Sequence, residues 1–175
     1  MRRSPFSVAL LVISALAATG CGAFGSSAPS PQPAGREPSP IAKEVCGTKA
    51  STEIADVLGE NADITTPTWA NHVYSCNYNY KKATMVLSVK ELSSWPETYA
   101  YFDGLGRALH ERIPVLKLGQ GAFEAADGSV VVRKDWKVLL VNVGGLPGMF
   151  GVPASTSANV ALTVAGVILG CWHGD

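Results

Sequence analysis

Residues 73–92 read VYSCNYNYKKATMVLSVKEL. A two-residue alternation runs through both halves of this stretch. Over Val73–Tyr80, the residues Tyr74, Cys76, Tyr78 and Tyr80 fall on one face of an extended chain, and Ser75, Asn77 and Asn79 fall on the other. Over Thr84–Leu92, Met85, Leu87 and Val89 share one face. Lys81-Lys82 is the short turn between them. This is the pattern of an antiparallel hairpin with one dry and one wet side. A dry side must be covered, and the flanking sequence carries helices that can cover it.

Downstream, Ser94 with Glu97 three residues on is a capping box, and Pro96 falls in the tolerant first turn. Tyr99, Phe102, Gly106, Leu109 and Ile113 then step along one helical stripe, which Pro114 stops. Gly119-Gln120-Gly121 turns into the strand Ala122-Phe123. Asp127-Gly128 has the residues of a tight hairpin turn. Ser129–Arg133 reads as a strand buried on both faces, paired with Trp136–Val143 across Lys134-Asp135. A Gly/Pro loop, 144–153, precedes a last helix capped by Ser157, with Val160, Val164, Val167, Ile168 and Cys171 on its stripe. Upstream, a short helix is expected with Ser51 as cap, Glu53 in its first turn, Ile54, Val57 and Leu58 on one face, and Gly59 as its stop. The expected fold is α+β: an antiparallel sheet of about five strands with three helices packed on it, spanning residues 45–175.

The N-terminus is of another kind. Arg2 and Arg3 precede the apolar run Phe6–Ile13, and Ala17 to Gly20 are small. These are the three parts of a secretory signal, too short for a membrane span. Cys21 follows Gly20 directly, where the acceptor cysteine of a bacterial lipoprotein stands. Residues 1–20 are therefore expected to be cleaved, and Cys21 to carry the lipid that holds the protein on the extracytoplasmic face of the cell membrane. Two or more acyl chains give stable anchorage, whereas one does not. Residues 21–44, rich in Pro and Ser with Phe24 as the one large aromatic, read as a disordered tether.

Removing residues 1–20 leaves 155, enough for one domain with a real core. The precursor's 14 basic and 14 acidic residues balance, and loss of Arg2 and Arg3 leaves a formal charge of −2. No basic footprint remains, so nucleic acid is not an expected partner. Export places Cys46, Cys76 and Cys171 where disulfides persist, and three cysteines leave one over. The expected pair is Cys46–Cys76, because Cys46 leads into the first helix and Cys76 lies on the strand face packing towards it. The rival is Cys46–Cys171.

Taken together, Cys46, the helix ending Val57-Leu58-Gly59, Cys76-Asn77-Tyr78, the run Leu118-Gly119-Gln120-Gly121-Ala122-Phe123 and the final helix resemble a family of small actinobacterial lipoproteins of unknown function. The likeness spans roughly Cys46 to Trp172. It implies a lipid-anchored domain similar in layout to extracellular sensor modules, and it brings no catalytic residues.

Chemistry-bearing motifs are sparse. There is no Gly-x-Ser-x-Gly, Ser-x-x-Lys or His-Glu-x-x-His. His72, His110 and His173 stand singly, no cysteine spacing suits zinc, and Gly104-x-Gly106 and Gly119-x-Gly121 lack the setting of a dinucleotide loop. Neither metal nor cofactor is expected. Tyr74, Tyr78 and Tyr80 read either as core or as the wall of a ligand cavity. In the uncharged segment 145–153, Leu146, Met149 and Phe150 form either a packed lid or a contact loop. The expected function is a ligand- or partner-binding accessory module taking a small apolar ligand or an envelope protein. The alternatives are a cell-envelope enzyme whose site is assembled from distant residues, and a structural envelope protein.

Overall fold

The computed structural model describes residues 30–111 and 113–172. The helices are α1 (Pro40–Glu44), α2 (Thr48–Leu58), α3 (Trp95–Ala108) and α4 (Ser157–Cys171). The strands are β1 (Asp63–Ile64), β2 (Thr68–Ala70), β3 (Val73–Tyr80), β4 (Ala83–Glu91), β5 (Ile113–Pro114), β6 (Gly121–Glu124), β7 (Val130–Lys134), β8 (Lys137–Gly145), β9 (Met149–Phe150) and β10 (Ser155–Thr156). The signal sequence, Cys21 and His173 lie outside the described residues.

The hairpin of residues 73–92 forms as its alternation requires. β3 and β4 pair antiparallel from Val73↔Lys90 to Tyr80↔Ala83. β4 then pairs with β8, giving an antiparallel sheet in the order β1-β3-β4-β8-β7-β6-β5, with β2 also on β3. Eight strands replace the five expected. The extra ones, β1, β2 and β5, are two or three residues long and cap the outer edges of β3 and β6. Short edge strands limit pairing with other chains.

Helices cover both faces. Cys76, Tyr78, Met85, Leu87, Val89, Val132, Leu139 and Val141 point to one side, where α1, α2 and α4 bury them. On the other side Phe123, Val131 and Val138 meet Phe102 and Leu105 of α3 and Leu109 just past its end, with the Phe102 and Phe123 rings edge to face at 5.1 Å. Each large side chain buried this way contributes roughly 1.5–3 kcal/mol.

Four helices, not three, surround the sheet. Residues 40–44, expected in the tether, form α1. Ser39 caps it through a bond from the Ala42 N–H, Pro40 sits in the first turn, and Ala42 and Val45 are fully buried. The buried Glu91 at the end of β4 accepts hydrogen bonds from the Ser39 N–H and hydroxyl. The domain therefore reaches back through Ser39 to Ala34, whose N–H donates to the Leu92 carbonyl at 3.1 Å.

Other boundaries also differ. α2 starts at Thr48 after Gly47, and the Ser51 hydroxyl donates within the helix to the Thr48 carbonyl. Thr156, rather than Ser157, caps α4. α3 ends at Ala108, before the expected stop at Pro114, because the chain turns through His110 at φ 54°. At its start Tyr99 is 48 % exposed, and Thr98 instead lies on the buried face. The turn between β7 and β8 is Asp135-Trp136, both with positive φ, instead of Lys134-Asp135.

The disulfide joins Cys46 and Cys76, with Cα atoms 6.0 Å apart, and Cys171 is a free thiol. Beside the bridge, the buried Tyr78 hydroxyl donates to the Val45 carbonyl at 2.7 Å. The bridge thus pins the α1–α2 junction to the sheet.

Candidate functional site

An antiparallel sheet sends its loops to two ends. At one end lie the start of β3, the end of β4, Leu92 and the Asp135-Trp136 turn. The segment ahead of α1 arrives there, and we call it the tether end. At the opposite end lie the Lys81-Lys82 turn, Gly128, the β9–β10 hairpin and the C-terminus of α2.

The hairpin and α2 lock together at this distal end. Gly59 ends α2 at φ +64°, and a Cβ there would sit 2.5 Å from the Val152 carbonyl oxygen. The Val152 N–H donates to the Leu58 carbonyl at 2.7 Å. Gly151, at φ +91°, has the converse constraint: its Cβ would lie 2.9 Å from the Leu58 oxygen. Glycine is required at both positions by the close approach of two backbones.

This contact splits the expected loop residues. Leu146 and Phe150 are half-buried and pack on the core, and the Phe150 ring meets Tyr80 edge to face at 4.6 Å. Only Met149 points outward, 56 % exposed. Two aliphatics join it on the surface: Val152, 64 % exposed, and Val57 of α2, expected on the apolar face with Ile54 and Leu58 but 47 % exposed, Ala50 being the third residue buried there.

Beside them, between α2 and β3, is a cleft of about 170 Å³ lined by Ser51, Thr52, Asp56, Glu60, Asn61 and Tyr80, among others. Its lining carries two carboxylates and no cationic side chain. The Tyr80 hydroxyl is buried without a hydrogen-bond partner. Burial, and secondarily the Glu60 carboxylate, pushes its pKa up to about 12. The chemistry on offer is hydrogen bonding and attraction for a small polar or cationic group, bordered by apolar contact.

Tyr78 forms the floor of the cleft and belongs to the core, and Cys76 lies in the same buried layer. The tyrosine stripe of β3 is thus mostly covered by helices. His72 and His110 are far apart at opposite ends, and among the described residues no group of three His, Cys, Asp or Glu side chains is placed to hold a metal. Cys171 lies 3.7 Å from a Glu53 carboxylate oxygen; burial first, then Glu53, raises its thiol pKa and keeps it protonated. No helix among the described residues is long and apolar enough to cross a membrane. No family model, curated protein or solved structure matches this chain, so the site stands on its own residues.

Proposed function

We propose that the chain is a lipid-anchored extracytoplasmic protein, of the small actinobacterial lipoprotein type its motifs resemble, whose domain binds a ligand or protein partner with its distal end. The observation that carries the binding role is the juxtaposition of Val57, Met149 and Val152, all exposed, with the cleft of Asp56, Glu60 and Tyr80, at the end opposite the tether. Apolar side chains held out by a backbone clamp, next to a polar recess, are what a recognition surface needs. The cysteine following small residues at Gly20-Cys21 supports the anchor, and the Cys46–Cys76 bridge suits an oxidising compartment.

Two measurements test this. A Cys21→Ser variant should leave the membrane fraction after a carbonate wash, and retention would overturn the anchor. Met149→Asp and Val152→Asp should keep the melting temperature and lose whatever the wild-type domain captures from intact envelopes. Unchanged capture would remove the distal end from the reading.

A further inference from the structure

The tether end has its own composition. All four tryptophans of the chain lie there: Trp69 in β2, Trp95 at the start of α3, Trp136 in the β7–β8 turn and Trp172 at the end of α4. Three of them are tied to the chain's point of entry. The Trp69 indole N–H donates to the Arg36 carbonyl at 2.8 Å, the Trp136 carbonyl accepts from Leu92, and Trp95 stacks edge to face on Trp136 at 6.4 Å. The Arg133 guanidinium lies 4.3 Å from the centroid of the exposed Tyr99 ring.

Next to this row, the loop after β5 holds Leu116 level with Gly121 and Arg133, 84 % exposed, the most exposed of the large hydrophobics described. Behind it opens a groove of about 420 Å³ lined by Lys117, Leu118, Gln120, Lys134, Gly166 and Leu169, among others. Its walls are largely apolar and its two ionisable side chains are both lysines. A Cβ placed on Gly166 or Gly170 would meet nothing within 4 Å, so the groove is open along α4. Three carboxylates near this end are engaged by the protein itself, Glu91 by Ser39, Asp135 by the Gln120 amide and Glu97 by the Ser93 N–H, while Glu37 is exposed beside Arg36. The Lys134 ammonium donates one bond to the Trp172 carbonyl at 3.4 Å, which leaves two donors for a phosphate. The distal end carries the carboxylates of Asp56, Glu60, Asp63, Glu124 and Asp127, the last engaged by the Ser129 N–H, together with the exposed Lys81 and Lys82 of the β3–β4 turn.

We infer that the tether end seats on the surface of the anionic bilayer to which the chain is anchored, with Leu116 entering the interface and Lys117 and Lys134 on headgroup phosphates. Of the aromatics at this end Tyr99 is exposed, Trp69, Trp95 and Trp136 are half-buried and Trp172 is buried; tryptophan and tyrosine prefer the water–lipid boundary, and a lysine stem can run along apolar surface to reach a phosphate. Attachment fixes the occupant. Ser30 stands nine positions beyond Cys21, a reach of at most about 30 Å when fully extended, so the surface nearest the tether end is the bilayer itself. The inference rests on the anchor reading for its geometry, while the contact surface is built from residues of the domain alone.

The test separates the two. The mature chain carrying Cys21→Ser, which bears no acyl group, is mixed at low salt with vesicles of phosphatidylcholine, or of phosphatidylcholine with phosphatidylglycerol, each made with brominated acyl chains. Because the tryptophans all sit at this end, their quenching reports its contact with lipid. Quenching by the anionic vesicles and little by the neutral ones is expected. Leu116→Asp, which adds one negative charge, should weaken partitioning at least about five-fold, and Lys117→Glu, which changes the charge by two units, about thirty-fold, from roughly 1 kcal/mol per charge near an anionic surface. No quenching at millimolar anionic lipid overturns the inference, as does equal quenching by neutral vesicles or indifference to both substitutions. Retention of Cys21→Ser in the carbonate-washed membranes of cells overturns the anchor alone, because the vesicle contact is measured on a chain without acyl groups.

Discussion

Reducing the Cys46–Cys76 bridge should lower stability by an amount set by the loop it closes. The cysteines are 30 residues apart, and the chain between them carries α2, β1 and β2. On the chain-entropy account, freeing a loop of that length returns about 12 cal/mol/K to the unfolded state, or about 3.6 kcal/mol at 25 °C. The folded state keeps its contacts meanwhile. Val45 is fully buried, and Tyr78 holds its carbonyl at 2.7 Å without help from sulfur. For a domain of this size each kcal/mol shifts the melting temperature by about 2–4 °C, so a fall of about 7–14 °C is expected. The assay is thermal melting by circular dichroism with and without a phosphine reductant, in a Cys171→Ala background, with reduction verified by mass. A fall under about 3 °C in fully reduced protein would refute the loop-entropy reasoning. It would mean that the unbridged unfolded chain is already confined around Cys46 and Cys76.

Three further outcomes follow from the distal end. Phe150→Asp puts a charge against Tyr80 and the core and should cost about 2–4 kcal/mol, read as a lower denaturation midpoint at unchanged slope; a change within error would mean that the ring does not pack as described. Gly59→Ala combines left-handed strain with a Cβ 2.5 Å from the Val152 oxygen, and should destabilise by about 2–4 kcal/mol and loosen amide-exchange protection at Val152. Tyr80 ionises in the folded state only near pH 12, above its usual value of 10.0, so the unfolded state loses its proton first and stability should fall as pH rises from about 10 to 12. Tyr80→Phe should flatten part of that loss in alkaline melting curves, and an unaltered pH profile would count against the buried hydroxyl.

The long strands were legible because burial on one or both faces leaves a mark in sequence. Tyr74 to Val89 alternate, and Val130–Val132 form a continuous apolar run under helices on both sides. The edge strands β1, β2 and β5 leave no such mark. Asp63-Ile64 and Thr68–Ala70 are extended because the outer edge of β3 offers free backbone groups, and nothing in their side chains announces it. α1 did carry a signal. Ser39-Pro40 is a cap followed by a first-turn proline, but it stands at the end of a run of Pro and Ser whose composition reads as a tether. The end of α3 is illegible for a different reason. The apolar spacing continues through Leu109 to Ile113, while the backbone has already reversed at His110, which periodicity cannot register.

The surface residues were the least legible, and the topology explains why. Val57 and Val152 are 95 positions apart and come to the same end of the domain because two glycines let the α2 terminus and the β9–β10 hairpin touch backbone to backbone. Each valine alone looks like a core residue of its own element. The tryptophans are equally scattered along the chain, in a strand, a helix start, a turn and a helix end, yet antiparallel pairing brings every one of those positions to the same end of the sheet. The same pairing that gathers the aromatics and the Lys117–Lys134 groove at the tether end sends the exposed aliphatics and the carboxylates of Asp56 and Glu60 to the other. On the proposed reading this division has a physical purpose. A domain held by a tether of at most about 30 Å cannot turn freely beside the bilayer, and an attractive face at the tether end would hold the acidic end outward. A partner approaching from the envelope would then meet Met149, Val152 and the Glu60 cleft first.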